Sequence, residues 1–307
     1  MQVVGRFAPS PSGRMHLGNA FAALLSYLSV RAAGGVFLLR MEDLDPQRCR
    51  PEWQDALRRD LERFGLHWDR ETTPQSQRSA AYARRFRQLE EQGLVYPCYC
   101  TRGELHAASA PHGSDGTPVY SGRCRALGAA ERAAQTRPPA WRLMVPDAEV
   151  VVRDRLQGVY RENLKKQCGD FIIRRSDGVY AYQLAVVTDD LESGVTEVVR
   201  GRDLLSSAPR QSYEYSLFGA KAPEYCHVPL LVAPDGRRLS KRERDLELFA
   251  LLERFPAERL VGALLTVCGV LDRFESVRAD EAAEAFSWAR VRPGDLSIAE
   301  IAGYLGL

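Results

Sequence analysis

Short apolar runs and one long amphipathic stripe alternate along the N-terminal part of the chain. The run VVGRFA, at residues 3–8, predicts a short buried strand. Beyond it, apolar residues recur at the spacing of one helix face: Leu17, Phe21, Leu24, Leu25 and Leu28. Gly34 and Gly35 are typical of a helix end, and the apolar run Val36–Met41 predicts a strand buried on both faces. Strand, helix and strand in this order predict a βαβ unit of a parallel sheet.

Helical patterns continue further along the chain. PEWQDALRRDLERFGL predicts a second helix that begins at Pro51. Near the C-terminus, LELFALLERFPAERLVGALLTVCGVL predicts two amphipathic helices and DLSIAEIAGYLGL a third. The segment FAALLSYLSV is too short to span a membrane, so we interpret it as a core helix and expect no membrane association. His106–Pro118 predicts a loop.

The residues between the first strand and the first helix form the first candidate site. In parallel α/β sheets, ligands bind beyond the carboxyl ends of the strands, where helix N-termini present free N–H groups. His16 and Gly18 lie at such an end. Gly18 would let a flat ring or a phosphate approach the backbone, and His16 would stand beside it as a hydrogen-bond donor. A second interpretation stays open, in which His16 only caps the helix and Gly18 only permits close packing.

Composition and charge are those of an ordinary globular enzyme. Of the 307 residues, 45% are hydrophobic and 27% charged, and the net charge is +2, so a nucleic-acid partner would have to meet a local basic face. Tyr82–Gln88 and Ile172–Gly178 are candidate faces. The seven cysteines are an odd number in a chain of this size, which favours reduced thiols and a cytoplasmic location.

A second motif lies far from the first. RRLSKRERD, residues 237–245, follows a turn, and together with HLGN at residues 16–19 it resembles the two nucleotide-binding signatures of class I aminoacyl-tRNA synthetases. RFAPSPSGRMHLGNA, LLRMEDLD, GLHWD, AYQLAVVTDD and GVTEVVRGRDLL resemble the glutamate-specific branch. The resemblance runs from about Val4 to Asp245.

The resemblance implies a fold and a domain organisation. The expected fold class is α/β, with a Rossmann-type parallel-sheet catalytic domain, an inserted zinc-containing domain like those that bind the tRNA acceptor end, and a short helical C-terminal region. The expected boundaries are 1–96 with 181–245 for the discontinuous catalytic domain, 97–180 for the insertion and 246–307 for the helical region.

The resemblance also assigns binding residues. In this family a carboxylate attacks the α-phosphate of ATP, and cations and N–H donors stabilise the charge that accumulates there. His16, Gly18 and Lys241 are the expected catalytic residues. ATP, with Mg²⁺, is expected to contact Pro9, His16, Gly18, Asn19, Arg238, Leu239, Ser240 and Lys241.

Specificity for L-glutamate requires a cation for its side-chain carboxylate and an anion for its ammonium group. Arginine suits the first task because its planar fork pairs with a carboxylate through two bonds. The resemblance carries the glutamate site onto Arg6, Phe7, Ala8, Pro9, Ser10, Glu42, Tyr182 and Arg200.

The length of the C-terminal region indicates which family of glutamate-specific synthetases the chain resembles. Only 62 residues (307 − 245) follow Asp245, which leaves no room for the anticodon-binding region of a full glutamyl-tRNA synthetase. The chain therefore resembles the glutamyl-Q tRNA(Asp) synthetase family, whose members activate glutamate without tRNA and esterify it to the cyclopentene-diol of queuosine in the anticodon of tRNA(Asp). The alternatives are a short glutamyl-tRNA synthetase that charges the 3′ end of tRNA(Glu), and a non-catalytic tRNA-binding paralogue. We expect a monomer.

A cysteine cluster predicts a metal site. Cys98, Cys100 and Cys124 lie within 27 residues of one another, and three thiolates with a fourth ligand suit tetrahedral Zn²⁺. The residues alone leave open whether these thiols bind anything. The resemblance implies one structural zinc with Tyr120 as its fourth ligand, while His106 and His112 are alternative fourth ligands in the intervening loop.

Overall fold

The N-terminal half of the parallel sheet has the predicted order of elements. A computed structural model describes residues 2–101, 103–104, 119–237 and 246–307. Strand β1 (Val4–Phe7), helix α1 (Leu17–Ala32) and strand β2 (Val36–Leu39) follow in sequence, and β1 and β2 run parallel with Val4 opposite Val36. Helix α2 (Pro51–Arg63) leads to a short third strand, β3 (Arg70–Glu71), which is parallel to β2. The predicted βαβ unit is confirmed.

Helix α1 is the central core helix, as its pattern predicts. The side chains of its apolar stripe are 0–1% exposed: Leu17, Phe21, Leu24, Leu25 and Leu28. The helix ends where Gly34 adopts a φ of +61°, a conformation that favours glycine, and Gly35 donates its N–H back to the carbonyl oxygen of Val30 at 2.9 Å. No helix among the described residues is both long and apolar enough to cross a bilayer.

The second half of the parallel sheet comes from the middle of the chain. Strands β9 (Glu197–Gly201) and β10 (Glu224–Val228) run parallel to each other. Thr196, just before β9, donates its N–H to the carbonyl oxygen of Val4 at 2.9 Å, so β9 lies beside β1. The carboxyl ends of β1, β2, β9 and β10 therefore meet at one edge, which is where a ligand site is expected.

The chain between these halves forms a second group of strands. β4 (Val95–Cys98), β5 (Ala140–Leu143) and β8 (Phe171–Arg174) make an antiparallel sheet. β6 (Glu149–Asp154) and β7 (Gly158–Asn163) make a hairpin whose last β6 residue, Asp154, pairs with Tyr225 of β10. The segment predicted as an insertion, 97–180, thus contributes a hairpin to the edge of the parallel sheet, and its boundaries stay a prediction.

The remaining helices cover the two groups of strands. Those before the C-terminal region are α3 (Ser79–Glu91), α4 (Ala129–Ala133), α5 (Leu164–Gln167), α6 (Tyr182–Glu192) and α7 (Ser207–Leu217). Those that follow are α8 (Leu248–Arg254), α9 (Ala257–Val267), α10 (Ala279–Glu284) and α11 (Ile298–Leu305). The three predicted C-terminal helices are confirmed as α8, α9 and α11. β11 (Leu231–Val232) pairs in parallel with β12 (Leu296–Ser297), which fastens this region to the rest of the chain.

Candidate active site and cysteine cluster

A cavity of about 500 Å³ opens at the carboxyl ends of the parallel strands. All eight residues of the predicted glutamate site line it: Arg6, Phe7, Ala8, Pro9, Ser10, Glu42, Tyr182 and Arg200. Four of the residues predicted to bind ATP also line it: Pro9, His16, Gly18 and Asn19. The other four, Arg238, Leu239, Ser240 and Lys241, lie outside the described residues, as does the predicted loop His106–Pro118. The structure therefore brings the predicted glutamate site and the described part of the predicted ATP site into one cavity.

His16 and Gly18 are packed against each other at the start of α1. His16 is the N-cap residue, and its Nδ1 accepts the backbone N–H of Asn19 at 3.3 Å. A Cβ atom on residue 18 would lie 3.0 Å from Cε1 and 3.1 Å from Nδ1 of that ring. His16 therefore caps the helix and also lines the cavity, and its contact with a ligand stays a prediction. Because Gly18 has no side chain, the imidazole ring of His16 can pack closely against its backbone.

Arg40 contacts Glu42, which lines the cavity, and was missed by sequence reasoning. It follows β2, is 1% exposed, and lies 2.5 Å from Asp190, 3.1 Å from Glu42 and 3.8 Å from Asp189. Burial alone would lower the pKa of Arg40, but these carboxylates raise it, so the guanidinium stays charged. The signal in the sequence is an arginine directly after an otherwise apolar strand, but nothing local indicates its partners.

The pKa values of two carboxylates around Arg40 are shifted in opposite directions. Burial raises the pKa of Glu42, although Arg40 and Arg6 counteract part of this effect. Burial would also raise the pKa of Asp190, but Arg40 and Arg6 outweigh it and the pKa is lowered. Arg6, which is 4% exposed, lies 3.4 Å from Asp190. A buried network of ionisable groups therefore contacts the cavity residues Arg6 and Glu42.

Arg200 differs from Arg6 and Arg40 because it forms no ion pair with a carboxylate of the described residues. It is 6% exposed, and among the described residues no carboxylate oxygen lies within 4.0 Å of its guanidinium. Its Nε donates to Nε2 of His227 at 3.0 Å and its Nη2 to the carbonyl oxygen of Leu204 at 3.3 Å, while the buried Nη1 has no partner in the described chain. A buried cation without an anion is costly, so this position suits an anionic ligand.

Tyr182 is the first residue of α6, where it lines the cavity. Burial raises the pKa of its hydroxyl, so the group is neutral at pH 7 and is available to donate a hydrogen bond.

The cysteine cluster lies away from this cavity. The sulfur atoms of Cys98, Cys100 and Cys124 are all within 4.8 Å of one another, and those of Cys100 and Cys124 are 3.5 Å apart. The Tyr120 hydroxyl lies 3.5 Å from the sulfur of Cys98 and 4.0 Å from that of Cys100. A tetrahedral zinc with Zn–S bonds of about 2.3 Å has ligand atoms roughly 3.8 Å apart, so this donor set fits zinc. His106 and His112 lie outside the described residues.

The surroundings of the cluster change the ionisation of its thiols. Burial and the neighbouring Cys124 thiol raise the pKa of Cys100 to about 12, so a divalent cation would be needed to form its thiolate at neutral pH. Arg142 donates its Nε–H to the sulfur of Cys98 at 3.2 Å, and its guanidinium carbon lies 3.7 Å from the centre of the Tyr120 ring. Sequence reasoning missed this arginine. The other four cysteines are free thiols: Cys49, Cys168, Cys226 and Cys268.

Comparisons with known proteins identify the family. The model of class I tRNA synthetases (E and Q), catalytic domain, matches residues 2–265. A glutamyl-Q tRNA(Asp) synthetase from Nitratidesulfovibrio vulgaris is 48% identical over 88% of this chain and 87% of that protein. Another, from Thiobacillus denitrificans, is 47% identical over 86% of this chain and 85% of that protein. The chain belongs to the glutamyl-Q tRNA(Asp) synthetase family.

A solved structure supports the same fold for this glutamyl-Q tRNA(Asp) synthetase family member. The crystal structure of a glutamate tRNA ligase from Elizabethkingia meningosepticum, in complex with its amino acid, superposes with a TM-score of 0.84 at 26% identity. The likeness covers 99% of this chain and 69% of that chain. The chain is thus an α/β enzyme of the class I synthetase fold with a parallel sheet, as the sequence predicts.

Proposed function

We propose that the chain activates glutamate with ATP, in the absence of tRNA, and transfers it to the cyclopentene-diol of queuosine in the anticodon of tRNA(Asp). The observation that carries the proposal is the buried Arg200 guanidinium, which has no carboxylate partner in the described chain and lies in a cavity that also contains Glu42. The names of the relatives that are 48% and 47% identical supply the acceptor.

The cavity provides opposite charges for the two ends of the amino acid. Arg200 and Arg6 pair with the side-chain carboxylate of glutamate, which glutamine would lack, and Tyr182 donates a hydrogen bond beside them. Glu42 faces the ammonium group. Because Arg40 and Asp190 already hold Arg6 and Glu42 in place, the site is formed before the substrate arrives.

Adenylate formation follows from this placement. An oxygen of the glutamate α-carboxylate attacks the α-phosphorus of ATP, the bond to the bridging oxygen breaks, and pyrophosphate leaves. His16, the N–H groups at the start of α1 and Lys241 donate to the phosphates as charge accumulates on them. Mg²⁺ accompanies ATP. In the second step, a hydroxyl of the diol attacks the carbonyl carbon of the adenylate, loses its proton and displaces AMP.

The cysteine cluster has a structural role in the proposal. Cys98, Cys100, Cys124 and Tyr120 hold one Zn²⁺, which fixes the end of β4 and residues 120–124 relative to each other for contact with tRNA. The enzyme works as a monomer in the cytoplasm. A glutamyl-tRNA synthetase that charges tRNA(Glu) is the second candidate, and the solved glutamate tRNA ligase at 26% identity is the observation in its favour.

Glutamate-dependent exchange of pyrophosphate into ATP, measured with no RNA present, tests the first step. We expect exchange with glutamate and none above background with glutamine or aspartate. Exchange that requires tRNA(Glu), or no exchange at all, would contradict the proposal.

A further inference from the structure

Three side chains form a row across three adjacent strands at the edge of the cavity. His227 of β10 is the direct partner of Arg200 in the parallel register with β9. On the other side of β10, Asp154 ends β6 and pairs with Tyr225. The row therefore runs from the hairpin of residues 149–163, through the fully buried His227, to the arginine that lines the cavity.

The hydrogen bonds of this row define the tautomer of His227. Its Nδ1 lies 2.6 Å from Oδ2 of Asp154, and its Nε2 lies 3.0 Å from Nε of Arg200. An arginine offers only donors, and an ionised carboxylate offers only acceptors. Nδ1 must therefore carry the proton and donate to Asp154, while Nε2 accepts from Arg200.

The ionisation of both groups agrees with this tautomer. Burial alone would raise the pKa of Asp154, but hydrogen bonds from His227 and from the backbone N–H of Gln157 outweigh it and hold the pKa below its usual value. Burial lowers the pKa of His227, so its ring is neutral at pH 7. Asp154 is itself fixed by the backbone N–H groups of Leu156, Gln157 and His227, at 3.0, 2.8 and 3.0 Å.

We infer that His227 and Asp154 are positioning residues for the glutamate side-chain site: they fix the plane of the Arg200 guanidinium so that Nη1, which has no partner among the described residues, meets the carboxylate of the substrate. The inference rests on the proposed role of Arg200 in glutamate binding. Without His227, two described contacts remain to orient the guanidinium. One is the hydrogen bond from Nη2 to the carbonyl oxygen of Leu204, and the other is the Tyr225 ring, whose centre lies 5.5 Å from the guanidinium carbon. The plane of a guanidinium sets the direction in which its N–H groups donate, so a carboxylate meets Nη1 in good geometry only when that plane is fixed.

Two substitutions of His227 separate orientation from simple packing. In His227→Gln, the amide oxygen reaches the position of Nε2 and accepts from Arg200. In His227→Asn, the shorter amide donates to Asp154 but leaves Arg200 without its acceptor. We expect the KM for glutamate to rise about tenfold or more in His227→Asn and substantially less in His227→Gln, while the KM for ATP stays unchanged in both.

Asp154→Asn tests the tautomer without altering the histidine. The new amide donates to Nδ1, which moves the ring proton to Nε2, where it opposes the Nε–H of Arg200. We expect this variant, too, to raise the KM for glutamate about tenfold with the KM for ATP unchanged. The exposed His67→Gln is the matched control and should leave both constants unchanged.

The measurement is glutamate-dependent ATP–pyrophosphate exchange over ranges of glutamate and ATP, with thermal unfolding of each variant recorded in parallel. Arg200→Ala separates the inference from the proposed function: an unchanged KM for glutamate in that variant contradicts the role of Arg200 itself. A raised KM in Arg200→Ala with wild-type values in His227→Asn and Asp154→Asn overturns the inference. Equal losses for glutamate and ATP in Asp154→Asn, together with a lower unfolding temperature, also overturn it, because they indicate a structural role only.

Discussion

Nη1 of Arg40 lies 2.5 Å from Oδ1 of Asp190, and the two side chains are only 1% and 2% exposed. This ion pair joins the end of β2 to α6, and its members contact Arg6 and Glu42, which are proposed to bind glutamate. Because Arg6 also contacts Asp190, the predicted substrate arginine and the buried network share one carboxylate. The position of Arg6 and the stability of the fold therefore both depend on Arg40 and Asp190.

Arg40→Met should strongly destabilise the protein. It leaves Glu42, Asp189 and Asp190 buried without their shared cation, and removal of one partner of a buried ion pair costs about 3–5 kcal/mol. Urea unfolding measures the loss. The exposed Arg50→Met, which disrupts a 3.7 Å surface pair with Glu52, is the control and should change the free energy of unfolding by less than about 1 kcal/mol. Equal effects of the two substitutions would contradict the role of Arg40.

Glu214→Gln should stabilise the protein at neutral and higher pH. Glu214 is 0% exposed, neither of its carboxylate oxygens has a partner in the described chain, and burial raises its pKa well above the usual value. The pKa of Glu214 is higher in the folded protein than in the unfolded protein. Its contribution to the free energy of unfolding is therefore complete below the unfolded pKa of about 4.3 and is lost as the pH rises above that value. Denaturant unfolding at pH 8 should show the variant more stable by about 1–3 kcal/mol, with the difference shrinking towards pH 4.

The exposed Glu90→Gln is the control for that experiment, because it removes a carboxylate that is in water in both states. A difference between Glu214→Gln and the wild type that does not vary with pH would contradict a buried, protonated Glu214.

The local elements could be predicted from the sequence because their signals are local. The stripe of α1, the glycines that end it and the apolar run of β2 each lie within a few residues of one another. Helix α10, with only six residues, is too short to show a period. The partners of the site are distant instead: Asp190 is 150 residues from Arg40, and His227 is 73 residues from Asp154. Periodicity contains no information about such pairs.

The site residues could be predicted only through the family resemblance. From the residues alone, His16 and Gly18 could either contact a ligand or only cap and pack the helix. The residues alone also did not show whether the thiols of Cys98, Cys100 and Cys124 bind a metal. Sequence reasoning missed Arg40, Arg142 and His227, because each is an isolated polar residue in an apolar segment whose role depends on contacts made across the fold.

Cys124→Ser should abolish tight zinc binding. The wild type should contain one zinc per chain when it is purified without added metal, because three sulfurs and the Tyr120 hydroxyl form a tetrahedral set. The loss should loosen the segment around the cluster and weaken transfer to RNA more than adenylate formation, since the cluster lies away from the cavity. Metal analysis and the two activity assays measure these effects. Cys268→Ala, which removes a thiol outside the cluster, should retain the zinc, and a folded, active wild-type enzyme free of metal would contradict the assignment.

Lys241→Ala should lower the turnover of ATP–pyrophosphate exchange by about 10²–10³, the usual effect of removing one transition-state donor. The KM for glutamate should change little, because the lysine is proposed to contact the phosphates and not the amino acid. Lys221→Ala, on the surface, is the matched control. Exchange close to that of the wild type in Lys241→Ala would show that the proposed mechanism is wrong.

Transfer of radiolabelled glutamate to defined tRNAs, followed by nuclease digestion, tests the central claim most directly. The label should appear on the anticodon fragment of tRNA(Asp) that carries queuosine. It should be absent from tRNA(Asp) with unmodified guanine at that position, which has no diol to act as the nucleophile, and from tRNA(Glu). Label on the 3′-terminal adenosine of tRNA(Glu) would contradict the account and establish a short glutamyl-tRNA synthetase instead.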